Sequence, residues 1–279
     1  MSHEPVPQPS LASSRPSIAR PAGLGDLVEG AYLVRFARDA DDLERVLRLR
    51  FEVFNRELGE GLSGSWSTGR DADRFDPHCH HLMLIERASG EAVGTYRLQT
   101  EREARAGQGF YCDQEFDLAG LGEATGHGVE LGRACIARAH RNGTALYALW
   151  RGLAAYLAWS RKRYLFGCCS LTSQDPGEGL TLHRRLEREG HLHSHWRVGV
   201  RGAHVCAATS AEASRTAVEL PKLFATYLRY GARVCSAPAI DREFRTIDWL
   251  VVLDARGLSL RLWRLFFAGI LGAPEELEA

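Results

Sequence analysis

The sequence has very little lysine: Lys162 and Lys222 are the two lysines among 35 lysine and arginine residues. It also has no net charge, because 35 aspartate and glutamate residues balance these cations. Composition therefore gives no general attraction to nucleic acid. Two explanations of the arginine excess stay open: a genome that favours arginine codons, or a surface whose planar guanidinium groups bind phosphates or carboxylates.

The sequence also lacks a long uninterrupted apolar run. Its most apolar stretch, 258–271, contains Arg261 and Arg264 and is shorter than the roughly 20 residues that cross a bilayer. This stretch is either a core helix or an interfacial helix at a membrane surface. Residues 1–29 are rich in proline, serine and alanine, lack the apolar segment of a signal peptide, and predict a disordered tail. Seven cysteines without metal-type spacing predict reduced thiols in the cytoplasm.

Apolar periodicity predicts an α/β fold in which helices flank a mixed central sheet. We expect one domain over 30–200 and a C-terminal extension over 201–279 that completes it and carries the apolar helix 257–271. The predicted strands are 31–36, 81–86, 92–98, 129–136, 164–171 and 251–254, and the predicted helices are 43–58, 144–161, 175–189 and 220–231.

Glu130 is the first residue that suggests chemistry. It lies between Val129 and Leu131 in a predicted buried strand, three residues before Arg133. A buried carboxylate costs free energy unless it is paired or used. It is therefore either part of an ion pair that fixes the sheet or a general base whose pKa is raised by burial.

A turn between strand and helix is the second feature. Arg141, Asn142, Gly143 and Thr144 precede a predicted helix whose free N–H groups could bind phosphate, with Arg138 nearby. Two histidine groups, His191/His193/His195 and His78/His80/His81, could bind zinc, although hydrogen-bonded or exposed histidines explain both, and we expect no metal. Cys168 and Cys169 are interpreted as core residues rather than nucleophiles.

Further motifs follow in a fixed order along residues 31–254. Together with the strand acid and the phosphate turn, they resemble the GNAT superfamily. More narrowly, they resemble the bacterial long-chain N-acyltransferases that make ornithine lipids, and more distantly the acyl-homoserine-lactone synthases. The motifs are Arg50-Phe-Glu-Val-Phe54, Asp76, His81-Leu82, Gly94–Leu98, Glu130-Leu-Gly-Arg133, Leu149–Leu153, Tyr164–Cys168, Asp175-Pro176, Leu220–Leu223, Tyr227–Ala232 and Asp241-x-x-Phe244-x-Thr246-x-Asp248.

The resemblance implies transfer of a long 3-hydroxyacyl chain from acyl carrier protein to the α-amine of L-ornithine. The phosphopantetheine thioester would be the co-substrate, with no tightly bound cofactor. Glu130 and Arg133 would be catalytic, and N–H groups of a bulge at 133–136 would polarise the thioester carbonyl. The carrier would be bound by Arg138, Arg141, Asn142, Gly143 and Thr144, and the acceptor by Arg50, Asp76, His81 and Arg97.

The same resemblance implies two partners, an acidic acyl carrier protein that docks on arginine-rich surfaces and an ornithine-like amino acid. Tyr164 or His183 could protonate the leaving thiolate, or the thiolate could leave unaided. An amphiphilic product suggests a cytoplasmic protein that is peripheral on the inner membrane. Two alternatives stay open: an acyltransferase that uses glycine, lysine or another amine, and a non-catalytic module that binds carrier protein or lipid.

Overall fold

The computed structural model of the chain describes residues 18–207 and 218–277. Valine, isoleucine, leucine and aromatic residues dominate its strands, as the pleated, half-buried surface of a sheet favours. In chain order the strands are β1 (Leu27–Glu29), β2 (Tyr32–Phe36), β3 (His80–Glu86), β4 (Ala92–Thr100), β5 (Phe116–Asp117), β6 (Gly128–Ile136), β7 (Tyr164–Leu171), β8 (Gly199–Val200), β9 (Arg233–Val234), β10 (Ala239–Asp241) and β11 (Thr246–Asp254).

Nine of these strands form one sheet in the order β1-β2-β3-β4-β6-β7-β11-β10, and β9 also pairs with β11. Strands β6 and β7 are parallel, whereas the other pairs of this sheet are antiparallel. Strands β5 and β8 form a separate two-stranded sheet. The predicted mixed α/β fold is confirmed, and the C-terminal strand β11 lies inside the main sheet beside β7.

The helices begin where the sequence places capping side chains. Asp39 accepts a hydrogen bond from the Asp42 N–H, and Asn142 and Asp175 cap their helices in the same way. The helices are α1 (Ala40–Phe51), followed directly by a π-helix (Glu52–Leu58), α2 (Ser65–Thr68), α3 (Glu101–Ala106), α4 (Gly143–Ser160), α5 (Pro176–Arg188), α6 (Lys222–Arg229) and α7 (Leu260–Phe267).

Side-chain alternation divides the middle of the sheet into two different faces. On one, which we call the helix face, Leu98, Val129, Cys169 and Trp249 join one large apolar cluster with α4. The residues that alternate with them point to the opposite side, which we call the charged face. It carries Arg97, Gln99, Glu130, Ser170 and Asp248.

Part of the predicted N-terminal tail has a fixed structure. Residues 1–17 lie outside the described residues, but Ile18 is buried beside Val46 and Met83, and Leu27–Glu29 forms β1. Arg151 of α4 also donates to Glu29 over 2.9 Å. The prediction of a disordered tail up to residue 29 therefore extends too far along the chain. Composition cannot show that a few buried apolar side chains are enough to fix residues 18–29.

One local prediction and one alternative are corrected. The helix predicted over 43–58 changes to π-type hydrogen bonding at Glu52, which apolar spacing cannot distinguish from a continued α-helix. The zinc possibility for His191, His193 and His195 needs a strand that presents all three on one side, but Leu192 makes a single isolated bridge to Val234 there. His193 Nδ1 instead accepts the Trp196 N–H over 2.9 Å, so the three imidazoles do not share one strand face.

The apolar C-terminal stretch forms the short helix α7. Trp263, Phe266 and Phe267 are buried in the main cluster, whereas Leu260 and Leu265 are 61% and 44% exposed. Within residues 18–207 and 218–277, no helix has both the length and the apolar character needed to cross a membrane.

Candidate active site

A cavity opens where β6 and β7 stop pairing. Their parallel ladder ends at Glu130 opposite Phe166. Next to this pair, a Cβ on Gly167 would lie 2.2 Å from the Leu131 carbonyl oxygen, so only glycine permits the close approach. Beyond it, residues 131–136 of β6 and 165–170 of β7 line a cavity of about 680 Å³.

A β-bulge lies at the cavity wall. Gly132 pairs with Arg97 and Cys135 pairs with Thr95, so Arg133 and Ala134 together face Tyr96 on β4. Arg133 has a φ of 49°, a left-handed conformation that costs a non-glycine residue about 1–2 kcal/mol. The predicted bulge in 133–136 is confirmed, and it turns Arg133 and Ala134 toward the cavity.

Three arginines and three aspartates form a buried ion network beside this bulge. Arg50, which is 0% exposed, donates to Asp71 and Asp76, at 2.8 Å from Nε and 2.7 Å from Nη1. Arg97 donates to Asp73 over 2.6 Å and to Asp76 over 3.0 Å. The third arginine, Arg133, donates to Asp71 over 3.2 Å and to Asp73 over 3.0 Å.

The residues predicted to bind the acceptor are brought together in this network. Arg50, Asp76, His81 and Arg97 are all buried, and none of them lines the cavity. Burial lowers the pKa of His81 to about 4, and its Nε2–H donates to the Asp76 carbonyl oxygen over 2.9 Å. Burial alone would raise the pKa of Asp76, but Arg50 and Arg97 outweigh it and hold that pKa far below its usual range. These buried residues therefore hold the ion network in place around Arg133, which is the arginine of the network that lines the cavity.

Glu130 is surrounded by donors. Its Oε2 accepts from Gln99 Nε2 over 2.5 Å and from the Tyr111 N–H over 3.0 Å, and its Oε1 accepts from the Cys112 N–H over 2.7 Å. It does not line the cavity. These three donors hold the carboxylate in one position. The base role of Glu130 therefore stays a prediction, and the direct effect of its side chain is to fix the backbone at 111–112.

Tyr111 links the two halves of the charged face. Its ring lies under Arg133, with 4.9 Å between the guanidinium carbon and the ring centroid. The phenol donates to Asp241 Oδ2 over 3.1 Å. Tyr111 and Arg133 both line the cavity, and Phe244 covers the other side of the guanidinium at 4.1 Å. Cation–π contacts and ion pairs together fix Arg133 at this wall.

Two carboxyl groups that were not singled out from the sequence also line the cavity. Glu60 follows the π-helix and accepts a hydrogen bond from Thr172, and burial raises its pKa. Asp248 of β11 is 3% exposed, and burial together with nearby Asp241 and Glu60 raises its pKa to about 7. Asp248 is the last residue of the motif that begins at Asp241, but the motif does not indicate that its side chain reaches a cavity.

The predicted phosphate-binding turn lies at the rim. Arg141, Asn142 and Gly143 line the cavity at the N-terminus of α4, whereas Arg138 and Thr144 are exposed outside the lining. Asn142 Oδ1 accepts the Ala145 N–H over 2.9 Å and so caps the helix. The Arg141 guanidinium binds Glu57, with Nη2 at 2.8 Å from Oε2.

The helix-face side of the cavity is apolar. Leu149 and Trp150 of α4, Leu253 of β11 and Phe224 of α6 form its walls. The hydroxyls of Tyr96 and Tyr227 lie 2.6 Å apart there, and burial raises the pKa of both. The two groups proposed from the sequence to protonate a thiolate lie elsewhere. Tyr164 donates to Glu123, and His183 accepts from Trp249.

The histidines at 80–81 and the cysteines are packed into the structure. His80 Nδ1 lies 2.7 Å from the Tyr156 hydroxyl, whereas the neighbouring His81 contacts Asp76. All seven cysteines are free thiols, and burial raises the pKa of Cys169 well above its usual value. A buried, protonated thiol is a poor nucleophile, which agrees with the predicted core role.

Comparison with known proteins shows which family has a sequence similar to that of this chain. An acetyltransferase (GNAT) domain model matches residues 49–151, which include the ion network, Glu130, the bulge and the start of α4. The L-ornithine N(alpha)-acyltransferase of Rhodobacter capsulatus is 35% identical over 82% of this chain and 92% of its own length. The chain belongs to the L-ornithine N(alpha)-acyltransferase family.

Other relatives agree with the family. The L-ornithine N(alpha)-acyltransferase of Agrobacterium fabrum is 30% identical over 83% of this chain and 84% of its own length. Among solved structures, FeeM, an N-acyl amino acid synthase from uncultured soil microbes, has a TM-score of 0.51 at 12% identity. It covers 83% of this chain and 97% of its own, and so shows the GNAT-like fold. As a member of this acyltransferase family, the chain adds Asp248 and Tyr227 from outside the matched domain to the cavity.

Proposed function

We propose that this protein transfers an acyl chain from a carrier-bound thioester to the α-amine of ornithine. The observation that carries the proposal is the cavity at the β6–β7 opening. It joins an apolar wall on the helix face to Arg133, Glu60 and Asp248 on its polar side. An acyl chain and a charged amino acid can therefore meet at the bulge. The names of the relatives from R. capsulatus and A. fabrum support ornithine as the acceptor.

The donor enters over the rim at the start of α4. The N-terminus of α4 and Arg141 favour the phosphate of a phosphopantetheine arm. Exposed Arg138 adds positive charge outside the rim, where an acidic acyl carrier protein would dock. The acyl chain then lies against Leu149, Trp150 and Phe224. This is the basis for a carrier protein, rather than a small thioester, as the donor.

The reaction is aminolysis of a thioester. The neutral amine attacks the carbonyl carbon, the C–N bond forms, and the carbonyl oxygen becomes an oxyanion beside the bulge. Backbone N–H groups at 133–134 stabilise this charge as it develops. The C–S bond then breaks, and the thiolate leaves with its electron pair. The proton lost by the amine passes to a carboxylate and then to the thiolate.

Glu60 is the carboxylate that we assign as the base. It lines the cavity, whereas Glu130 does not, and burial raises its pKa, which makes it a better proton acceptor than an ordinary carboxylate. Glu130, the base expected from the sequence, is then a positioning residue that holds Tyr111. Arg133 binds the α-carboxylate of the acceptor, since it is the arginine of the network that lines the cavity.

The test is an assay of the full-length protein with 3-hydroxyacyl carrier protein or the same acyl chain on coenzyme A. Ornithine, lysine and glycine are supplied as acceptors, and mass spectrometry reads the products. We expect N-acylornithine, with the carrier protein favoured by at least about tenfold in kcat/KM. Acylation of glycine or lysine alone would contradict ornithine as the acceptor. Equal use of both thioesters would contradict carrier protein as the preferred donor. If no product forms, a non-catalytic binding module is favoured.

The base is tested by Glu60→Gln and Glu130→Gln, with Glu52→Gln, an exposed residue of the π-helix that precedes Glu60, as control. Glu60→Gln should lower kcat by about 10²–10⁴-fold and remove the acidic limb of the pH–rate profile. Glu130→Gln should lower kcat less and keep that limb. The reverse pattern would return the base role to Glu130.

A contact with the membrane surface is a further part of the proposal. The outer side of α7 presents exposed Leu260 and Leu265 beside Arg261 and Arg264, a combination that suits an anionic lipid surface. Co-sedimentation with phosphatidylglycerol vesicles should fall when Leu260 and Leu265 are both changed to serine. Equal binding to neutral phosphatidylcholine vesicles would contradict the charge requirement.

A further inference from the structure

We propose that Asp248 and Glu115 form a cation site for the side-chain ammonium of the acceptor, and so select a diamino acid over a neutral one. The inference rests on the proposed acyl transfer and adds a specificity-determining pair to it. Neither residue was given a role by the sequence.

The two carboxyl groups meet beside the cavity. Asp248 comes from β11, and Glu115 follows the turn Tyr111–Gln114. One carboxylate oxygen of each lies within 4.8 Å of the other and of Cys168 Sγ. Glu115 is 1% exposed and Asp248 is 3% exposed. Within the described part of the chain, neither oxygen of Glu115 nor Asp248 Oδ1 has a hydrogen-bond partner. This differs from the ion network, where each aspartate receives arginine donors.

Three unpartnered oxygens on two buried carboxyl groups are costly, although hydrogen bonds with Ser170 and Thr246 lower the pKa of Asp248 in part. A protein keeps such groups when a proton or a cation neutralises them. The nearby groups do not supply that cation. Asp241 and Glu60 are acidic, Cys168 and Cys169 are thiols, and Tyr111 is a neutral phenol. Arg133 lowers the pKa of Glu115, but burial and Asp248 together still raise it well above its usual value. Burial therefore favours the protonated forms of both carboxyl groups until a cation binds.

An acceptor can reach this pair from the cavity. Asp248 and Cys168 line the cavity, and Glu115 supports Asp248 from outside the lining. Tyr111 lies between Arg133 and the acidic groups, since its ring contacts the guanidinium and its hydroxyl contacts Asp241. A carboxylate at Arg133 and an ammonium at Asp248 would lie at opposite ends of one α,ω-diamino acid. A metal fits less well, because burial and Cys112 raise the pKa of the Cys168 thiol well above its usual value.

The test compares L-ornithine with L-norvaline, which has the same carbon chain without the terminal amine. The unmodified enzyme should favour ornithine in kcat/KM by about 10²-fold or more, because norvaline leaves the carboxyl pair unpaired. Asp248→Asn should reduce this preference by about 30–200-fold, mainly through a higher KM for ornithine, and should leave the KM for norvaline unchanged. Glu115→Gln should act in the same direction.

Asp254→Asn is the matched control, since Asp254 is on the same strand, pairs with Arg163 and does not line the cavity. It should leave the preference unchanged. Thermal unfolding distinguishes specificity from misfolding, because replacing an unpaired buried carboxyl group should keep or raise Tm. An Asp248→Asn protein that loses both substrates equally, or keeps the full preference for ornithine, would overturn the proposal.

Calorimetry tests the site without turnover. Ornithine binding in two buffers of different ionisation enthalpy should show proton release, and Asp248→Asn should lose that release. Saturating binding of Zn²⁺ or Mg²⁺ alone that disappears in Asp248→Asn would favour a metal site and contradict the proposal. If no amino acid is acylated but ornithine binds with proton release, the proposed reaction fails and the cation site stands. If ornithine and norvaline are acylated equally, the reaction stands and the cation site fails.

Discussion

The helix face and the charged face of the same sheet use burial for opposite purposes. On the helix face, Leu98, Val129 and Trp249 pack against α4 and remove apolar surface from water. On the charged face, Gln99, Glu130 and Asp248 come from the same strands one residue away. One face stabilises the fold, and the other holds groups that are expensive to bury. The cavity lies where β6 and β7 separate, so both faces reach it.

The charged face is itself divided. In the Arg50–Asp71–Asp76 region every charge has a partner of opposite sign, which makes the region rigid. At Glu115 and Asp248 two like groups lie together, and both oxygens of Glu115 and Oδ1 of Asp248 have no donor. A satisfied network positions neighbouring groups, whereas an unsatisfied pair is suited to a ligand. On the charged face, the ion network therefore supports the site, and the Glu115–Asp248 pair is the part suited to recognising a ligand.

The largest expected effect comes from breaking the satisfied network. Arg50→Met leaves Asp71 and Asp76 buried without their shared guanidinium and should lower the free energy of unfolding by about 3–5 kcal/mol. Urea denaturation measures it. Arg56→Met is the control, because Arg56 is exposed and pairs with Glu52 one helical turn away, and it should change stability by less than about 0.5 kcal/mol. A loss under about 1 kcal/mol for Arg50→Met would mean that the network contributes little.

On the helix face, Leu153→Ala should cost about 3 kcal/mol. Leu153 of α4 is buried in the main apolar cluster and lies outside the lining of the large cavity, so truncation leaves a void. Chemical denaturation checks the size, with exposed Leu265→Ala as control. Unchanged acceptor preference is expected, and a shift in that preference would show that the two faces are coupled.

At the unsatisfied Glu115–Asp248 pair, a substitution should raise the free energy of unfolding, whereas the two substitutions above should lower it. Asp248→Asn should raise the free energy of unfolding by about 3–4 kcal/mol at pH 8 and by almost nothing near pH 4. The unfolded aspartate has a pKa near 3.9, but burial raises the folded value to about 7. Between these values the folded protein keeps a proton that the unfolded chain has released, so this group makes stability fall as pH rises.

Denaturation of both proteins at pH 5, 6, 7 and 8 measures that trend, with Asp254→Asn as the matched control. A gain that shrinks with rising pH would contradict the assignment. The groups that face Asp248 and titrate with it or modify its charge are Glu115, Asp241, Glu60, Cys168, Cys169 and Tyr111.

The smallest effect is expected at the rim, away from both faces. Arg141→Gln should raise the KM for the carrier-bound thioester about two- to fivefold at low salt, because one exposed cation contributes less than about 1 kcal/mol. The difference should shrink at 0.5 M salt, whereas the free energy of unfolding should barely change. Arg56→Gln provides the comparison, and a salt-independent difference would point to a contact other than charge.

Much of the sheet could be predicted because its signals are local. The apolar run Tyr164–Leu171 and the capped start of α4 at Asn142 behave as their residues indicate. Strand β11 was recognised over only four of its residues, because Thr246, Asp248 and Trp249 do not look like a buried strand. The π-helix was missed because its apolar spacing is close to that of an α-helix.

The candidate site was harder to predict because side-chain partners come from distant segments. Arg50, Asp76, His81 and Arg97 were correctly grouped by motif, yet motif order could not tell that they pair with one another and leave Arg133 at the cavity. Glu60, Glu115 and Tyr111 carried no local signal. Whether a buried carboxyl group has donors depends on which loops fold over it.

By itself the sequence determined the α/β fold, the likeness to ornithine-lipid acyltransferases, and the strand that carries Glu130 and Arg133, because periodicity, capping and motif order are properties of neighbouring residues. The tertiary structure alone decided which charges are satisfied and which are not. Arginines 50, 97 and 133 became a closed network with three aspartates, whereas both oxygens of Glu115 and Oδ1 of Asp248 were left without a donor. The difference arises because electrostatic pairing depends on distance and desolvation in space, which the order of residues along the chain does not specify.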